Sequence, residues 1–272
     1  MGPAGAHAPA ESFIESNRDM HLTLDGHTAL VTGANGGLGS HFAQTLAKAG
    51  ANVAIAARRV ESLREVEESI RPFGARVHCI GLDVTKRDSV AAAFEGAAEA
   101  LGPVTVVVNN AGIAVTKPLL EHTDDDWNEV IGVNLTGAWR VAQEAARHMV
   151  KHQRGGSIVN IASILGLRVS AQVPSYVASK AALIQLTKAM ALELARHRIR
   201  VNALAPGYVE TSINREFFAS DAGQALIKRI PQRRIGNPEE LDAALLLLAS
   251  DAGSYATGSV LAIDGGHLVN TL

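Results

Sequence analysis

The chain of 272 residues contains a single cysteine, Cys79. No disulfide can close within it and no cysteine cluster can hold a metal, which fits a reducing, cytoplasmic setting. Aromatic residues make up only 4% of the sequence, too few to pave a base-stacking surface. An excess of positive charge is missing too: 25 Lys and Arg face 27 Asp and Glu, a net charge of −2. Nucleic acid is therefore not expected as a partner. No run reaches the roughly 18 apolar residues of a membrane span. The greasiest stretch, Leu241 to Ala249, is interrupted by Asp242 and reads as a packed helix. Residues 1–22 lack both a basic start and an apolar block, so they read as a flexible leader outside the fold rather than a signal segment.

Apolar residues are plentiful, at 47%, and they come in a rhythm. Strands are expected at Thr28–Thr32, Asn52–Ala57, Val77–Ile80, Val104–Asn109, Ser157–Ile161, Ile199–Leu204 and Val260–Ile263. Helical stretches fall between them, at Gly37–Ala49, Val60–Arg71, Lys86–Leu101, around Asp125–Arg154, and at Ser175–Arg196. Gly50, Gly74, Gly102 and Gly155 sit near the helix ends, where a left-handed residue is wanted. Strands alternating with helices of this length make βαβ units and a buried parallel sheet. The expectation is an α/β fold: a single Rossmann-type, doubly wound domain over residues 23–272 with helices on both faces. Residues 212–236, with Phe217, Phe218, Gly223, Pro231 and Gly236, break the rhythm and read as an inserted helical lid.

The first strand runs into Thr32-Gly33-Ala34-Asn35-Gly36-Gly37-Leu38-Gly39. A glycine turn between strand and helix lets backbone N–H groups and the helix N-terminus meet a pyrophosphate. A side chain at Gly33 or Gly37 would hold the phosphate off, and Gly39 would let the helix pack close to the strand. The second strand ends Ala57-Arg58-Arg59, with no acid to bond a ribose 2′-hydroxyl. Arg58 and Arg59 would instead attract a 2′-phosphate, which favours NADP(H) over NAD(H). A solvated charge pair is the plain alternative. Asn109-Asn110-Ala111-Gly112 closes the fourth strand, where small residues let the chain pass a ribose and amides can tie strands together.

Of three tyrosines, only Tyr176 has a lysine, Lys180, four residues on. On a helix the two share a face, and the ammonium would lower the phenol's pKa. Ser163 stands 13 residues earlier, just past a strand, and could hold a substrate oxygen while Tyr176 exchanges the proton. Asn134 is unusual inside an apolar helix and must find partners. Each has a bland alternative: a surface Tyr/Lys pair, a strand-end cap, a helix kink.

The spacing G-x-x-x-G-x-G after Thr32, with Asn110-Ala111-Gly112, Asn134, Ser163, Tyr176 and Lys180 in this order, resembles the short-chain dehydrogenase/reductase family from Leu24 to Gly266. The resemblance implies carbonyl/secondary-alcohol chemistry and catalytic roles for Asn134, Ser163, Tyr176 and Lys180. Asn134 would hold a water in a proton relay, and Lys180 would also hold the nicotinamide ribose. It implies an adenine contact at Asp83-Val84. It further implies that Pro206-Gly207-Tyr208-Val209-Glu210-Thr211 fixes the nicotinamide carboxamide through Val209 and Thr211, and that the enzyme is a homotetramer. The substrate pocket is expected to be lined by Ser163, Ile164, Leu165, Val173, Tyr176 and Tyr208 with the lid. Its apolar character tilts towards a 3-oxoacyl thioester or a hydrophobic ketone as the small-molecule partner. An NAD-linked sugar or polyol dehydrogenase, and a nucleotide-sensing module without catalysis, are the rival readings. His148 and His152 share a helix face, but no third ligand accompanies them and no metal is expected. Arg229, Arg233 and Arg234 near the lid could attract an acyl-carrier or coenzyme A phosphate, or simply be solvated.

Overall fold

A computed structural model describes residues 22–211 and 214–269. The leader reading falls on residues 1–21 and the start of the lid on 212–213, both outside the described residues. Seven strands form one parallel sheet: β1 Thr28–Thr32, β2 Asn52–Ala57, β3 Val77–Gly81, β4 Val106–Asn109, β5 Gly156–Ile161, β6 Ile199–Pro206 and β7 Val260–Ile263. Their order is β3-β2-β1-β4-β5-β6-β7. The order reverses between β1 and β4, and a doubly wound sheet opens its ligand crevice there, beyond the strands' C-terminal ends.

The α-helices are α1 Gly37–Lys48, α2 Arg64–Ile70, α3 Arg87–Leu101, α4 Asp124–Ile131, α5 Ala138–Lys151, α6 Pro174–Leu194, α7 Arg215–Ala219, α8 Asp221–Ile227 and α9 Asp242–Ala249. Alternation along the strands feeds two cores. Ala29 and Val31 of β1 join Phe42, Leu46, Leu63, Ile70 and Leu245 on one face. Leu30 joins Phe94, Leu101, Val141 and Met149 on the other. Every residue of β1 is buried, as a central strand covered on both faces requires.

Two elements and one side chain depart from the sequence expectation for physical reasons. Residues 125–154 do not form one helix: α4 and α5 are joined by a π-helical turn, Gly132–Gly137. Glycines at both ends relax the chain there. A Cβ on Gly137 would stand 2.7 Å from Val84 Cγ2, so α5 rests directly on the β3–α3 connection. β6 carries on to Pro206, since pairing with β7 aligns Pro206 with Ile263. Pairing with β5 has already ended at Leu204, and the bond to the Ile263 carbonyl of β7 comes from the Gly207 N–H, so no ladder bond is asked of Pro206. His148 is not on a solvated helix end. It is 7% exposed, and its Nε2 accepts a hydrogen bond from the Val104 N–H at 3.0 Å.

Candidate functional site

The glycine turn lies at the switch point. Gly33 has φ +63° and a Cβ on it would meet Ala111 Cα at 2.9 Å. Gly39 is the tightest position: its Cβ would fall 2.2 Å from the Gly33 carbonyl oxygen and 2.5 Å from Asn110 Nδ2. Gly37 is different. Nothing lies within 4 Å of its added Cβ, and the demand there is its φ of +53°. Leu38, in the first turn of α1, packs against the core, while the N-cap Gly36 offers no side chain to close the helix end. The first-turn N–H groups of α1 therefore remain available to an anion.

Asn110 binds the turn to β4. Its Nδ2 donates to the carbonyls of Thr32 at 3.0 Å and Gly33 at 3.1 Å. Thr32 returns the link, because its Oγ1 accepts from the N–H groups of Asn110 and Ala111, both at 3.0 Å. Thr32 escaped sequence reasoning as a functional residue, since a threonine ending a strand carries no signal of its own.

A cleft of about 830 Å³ opens along this seam. It is lined by Gly33, Asn35, Arg58, Arg59, Asp83, Val84, Ala111 and Gly112, together with the α4 side residues Asn128, Glu129, Gly132 and Val133. The sequence singled out the first eight; the α4 wall follows only from packing. Arg58 and Arg59 are exposed at the cleft, and Ala57 beside them carries no acid. Asp83 accepts from the Thr85 N–H at 3.0 Å and the Thr85 hydroxyl at 2.6 Å, and the Thr85 hydroxyl bond holds its carboxyl below the usual range. A second hollow, of about 360 Å³, meets the other side of the turn at Gly37, Ser40, Glu210 and Thr211. The turn thus divides two hollows that an extended dinucleotide could span. Pro206 ends β6, and Gly207 follows so close to Asp264 that a Cβ would stand 2.6 Å from its Cα. Val209 is buried and bridges to Gly236, while the Thr211 N–H donates to Asn214 Oδ1 at 2.8 Å.

Behind Gly112, on the wall of the cleft, lie the titratable groups. Lys180 is 4% exposed, and its Nζ donates to the Ile161 carbonyl at 2.7 Å. Burial alone pulls its pKa down to about 8. The ammonium lies 5.5 Å from the centre of the Tyr176 ring. Tyr176 does not have the lowered pKa expected from its lysine neighbour. Burial pushes the phenol up, and its interaction with the Ser163 hydroxyl pulls only part of the way back. Ser163 caps a 3-10 turn, its Oγ accepting from the Leu165 N–H at 3.1 Å.

Asn134 projects from the π-helical turn into the interior, 1% exposed. Its Oδ1 accepts from Ile113 N at 2.8 Å, and its Nδ2 donates to Ile113 O at 2.9 Å and Ser179 Oγ at 3.2 Å. The amide therefore clamps the loop after β4 to α6. A π turn is a frequent mark of a functional site because it re-aims one side chain. Gly112 lies between the two polar groups. Its added Cβ would be 3.4 Å from Asn134 Oδ1 and 3.6 Å from Lys180 Nζ.

On the substrate side, Leu165, Val173 and Tyr208 are half-buried. Ile164, beside them, is 2% exposed. Tyr208 packs edge-on against Phe218 at 5.9 Å and beside His267 at 5.6 Å. His267 and Arg168, whose Nη1 donates to the His267 carbonyl, were not singled out in the sequence. Of the lid arginines, Arg234 is committed to Glu240 through two bonds of 2.6 Å, and Arg233 bonds the Lys228 carbonyl.

A family model described as enoyl-(acyl carrier protein) reductase matches residues 33–267. The chain is 39% identical over 248 residues to 3-oxoacyl-(acyl-carrier-protein) reductase FabG of Thermotoga maritima, covering 91% of this chain and 100% of that protein. It is 36% identical over 248 residues to 2-dehydro-3-deoxy-D-gluconate 5-dehydrogenase of Escherichia coli, covering 91% and 97%. Among solved structures, a gluconate 5-dehydrogenase from Burkholderia cenocepacia in complex with NADP and tartrate superposes with a TM-score of 0.87. The two chains are 37% identical, with 92% and 98% covered.

Proposed function

The chain belongs to the short-chain dehydrogenase/reductase family, and from that premise we infer that it interconverts a ketone and a secondary alcohol with NADP(H), through Tyr176, Ser163, Lys180 and Asn134. Its class of reaction is the NAD(P)-dependent exchange of CH–OH and C=O. The observation that carries the residue assignment is the convergence of the Ser163 hydroxyl and the Lys180 ammonium on one half-buried phenol, Tyr176. The nicotinamide, when bound, supplies or takes the hydride. Gly33, Asn35 and the α1 N-terminus would hold its diphosphate, because the turn has no Cβ in the way and unused N–H donors.

The protein's own part is proton transfer and positioning. Burial keeps the Tyr176 phenol protonated at neutral pH, the form that gives a proton to a carbonyl oxygen. Ser163 Oγ would hold that oxygen. The Lys180 ammonium favours the phenolate left behind, and Asn134 fixes the loop that closes over it. The half-buried Leu165, Val173 and Tyr208 support a ketone with an apolar body, such as a 3-oxoacyl thioester.

Arg58 and Arg59 on the cleft wall support NADP(H). The test compares oxidation of NADPH and NADH across 3-oxoacyl thioesters, ketones and keto-sugars. Arg58→Ala is expected to lower kcat/KM for NADPH at least tenfold and leave NADH within about twofold. Wild-type preference for NADH would establish the NAD-linked sugar or polyol reading instead. Cofactor binding with no turnover of any carbonyl would establish the sensing module.

A further inference from the structure

The tail after β7 meets the segment that follows β5 beside Tyr208. Arg168 follows the 3-10 turn that Ser163 caps, and its N–H donates to the Ile164 carbonyl at 2.9 Å. Its guanidinium Nη1 donates to the carbonyl of His267, 99 residues away. The His267 ring lies 5.6 Å from Tyr208, and Phe218 of α7 closes the other side of Tyr208 at 5.9 Å. Arg168 is near enough to Tyr208 to favour its phenolate, and Tyr208 in turn acts on Tyr176.

Two groups in this cluster have unused polar capacity. Arg168 is half-buried, and no described carboxylate pairs with it. The guanidinium has five N–H donors, and one carbonyl occupies a single arm. His267 is 7% exposed, and its Nδ1 is buried with no hydrogen-bond partner among the described residues. Such an orphan is costly in a folded chain and calls for an explanation. A ligand group that completes both side chains removes the cost.

We propose that Arg168, supported by His267, binds a carboxylate on the substrate, so that the ketone reduced at Tyr176 is an oxo acid. The proposal rests on the reading of Tyr176 as the proton donor, and within the ketones it puts a free oxo acid in place of the thioester. A planar fork with free donors matches the two oxygens of a carboxylate, and one unpaired cation matches one negative charge. Tyr208 and Phe218 form the apolar wall along which the carbon chain between carboxylate and ketone would lie.

The experiment pairs (ω−1)-oxo acids of increasing length, from 3-oxobutanoate to 7-oxooctanoate, with their methyl esters. NADPH oxidation is followed at saturating cofactor. The wild type is expected to favour at least one acid over its ester by tenfold or more in kcat/KM. Arg168→Gln keeps an N–H for the His267 carbonyl but loses the charge, and is expected to cut that ratio at least tenfold. Arg168→Lys keeps the charge but not the fork, and is expected to give a ratio between those of wild type and Arg168→Gln, which a purely structural role would not predict. Binding of the preferred acid to Tyr176→Phe with NADP⁺, measured by calorimetry, separates this assignment from the catalytic one. Binding that Arg168→Gln abolishes supports the carboxylate site even where Tyr176 fails as the proton donor. Esters turned over as well as acids, or an acid-to-ester ratio untouched by Arg168→Gln, overturns the assignment and leaves the oxidoreductase standing.

Discussion

Replacing Lys180 by methionine is expected to make the protein more stable while removing its activity. The ammonium is buried, bonds one carbonyl, and has no carboxylate partner among the described residues. Its pKa falls from the ordinary 10.5 to about 8 through burial. At about 1.4 kcal/mol per tenfold, holding that charge in the folded chain costs about 3 kcal/mol at neutral pH. Methionine fills a similar volume without a charge, and forfeits about 1 kcal/mol with the bond to Ile161. The net gain is about 2 kcal/mol, or a rise in Tm of about 4–8 °C for a chain of this size. The pH dependence follows from linkage. The unfolded chain binds the Lys180 proton more tightly than the folded one, so wild-type stability climbs between about pH 8 and 10.5. The advantage of Lys180→Met therefore shrinks over that window. Urea unfolding at fixed protein concentration, at pH 7, 9 and 10, reads the difference directly. A variant no more stable than wild type at pH 7, or a gap that stays constant up to pH 10, would refute the reasoning.

Three further outcomes are expected. Gly39→Ala drives a Cβ to 2.2 Å from the Gly33 carbonyl and disturbs the Asn110 bonds; it should cost about 2–4 kcal/mol and weaken NADPH binding, read by melting and fluorescence titration. Tyr176→Phe should keep NADPH binding and lose at least about 100-fold in turnover. Because burial raises the Tyr176 pKa above the ordinary phenol range, the free enzyme's carbonyl reduction should hold through neutral and mildly alkaline pH and fall only beyond that range; a loss of reduction already near neutral pH counts against Tyr176 as the proton donor. Burial lowers the His148 pKa from 6.5 to about 4, so the stability held by its neutral ring is complete above about pH 6.5 and lost as pH falls towards 4. His148→Gln keeps an acceptor for the Val104 N–H and should remove about 3 kcal/mol of the acid-side fall in urea titrations.

The sheet was legible because parallel strands buried on both faces leave apolar runs that period alone identifies. β1, β2 and β7 fall where the sequence puts them, and the others differ by one or two residues at an end. The glycine turn was legible for a related reason: only glycine tolerates the positive φ of Gly33 and Gly37 and the contact at Gly39. The Tyr176/Lys180 pair could be found by spacing, since both lie on α6. The π turn at Gly132–Gly137 could not, because helix period is insensitive to one extra residue in a turn. The wall of the cleft at Asn128 and Glu129 was likewise hidden, since it is made by the packing of α4 against a loop distant in sequence.

The sequence alone determines the backbone demands: which segments are strands, where glycine is obligatory, and which tyrosine has a lysine one helical turn away. These are local, and local sterics and periodicity encode them. Electrostatic balance is a different matter. The same Lys180 that spacing assigns to lowering the Tyr176 pKa is held by Ile161, and burial raises the phenol instead. Arg168 and His267 meet only when β7 delivers the tail to the turn after Ser163. Charge and burial sum over every neighbour in three dimensions, so the groups that tune the proton and read the substrate became visible only once the chain had closed around them.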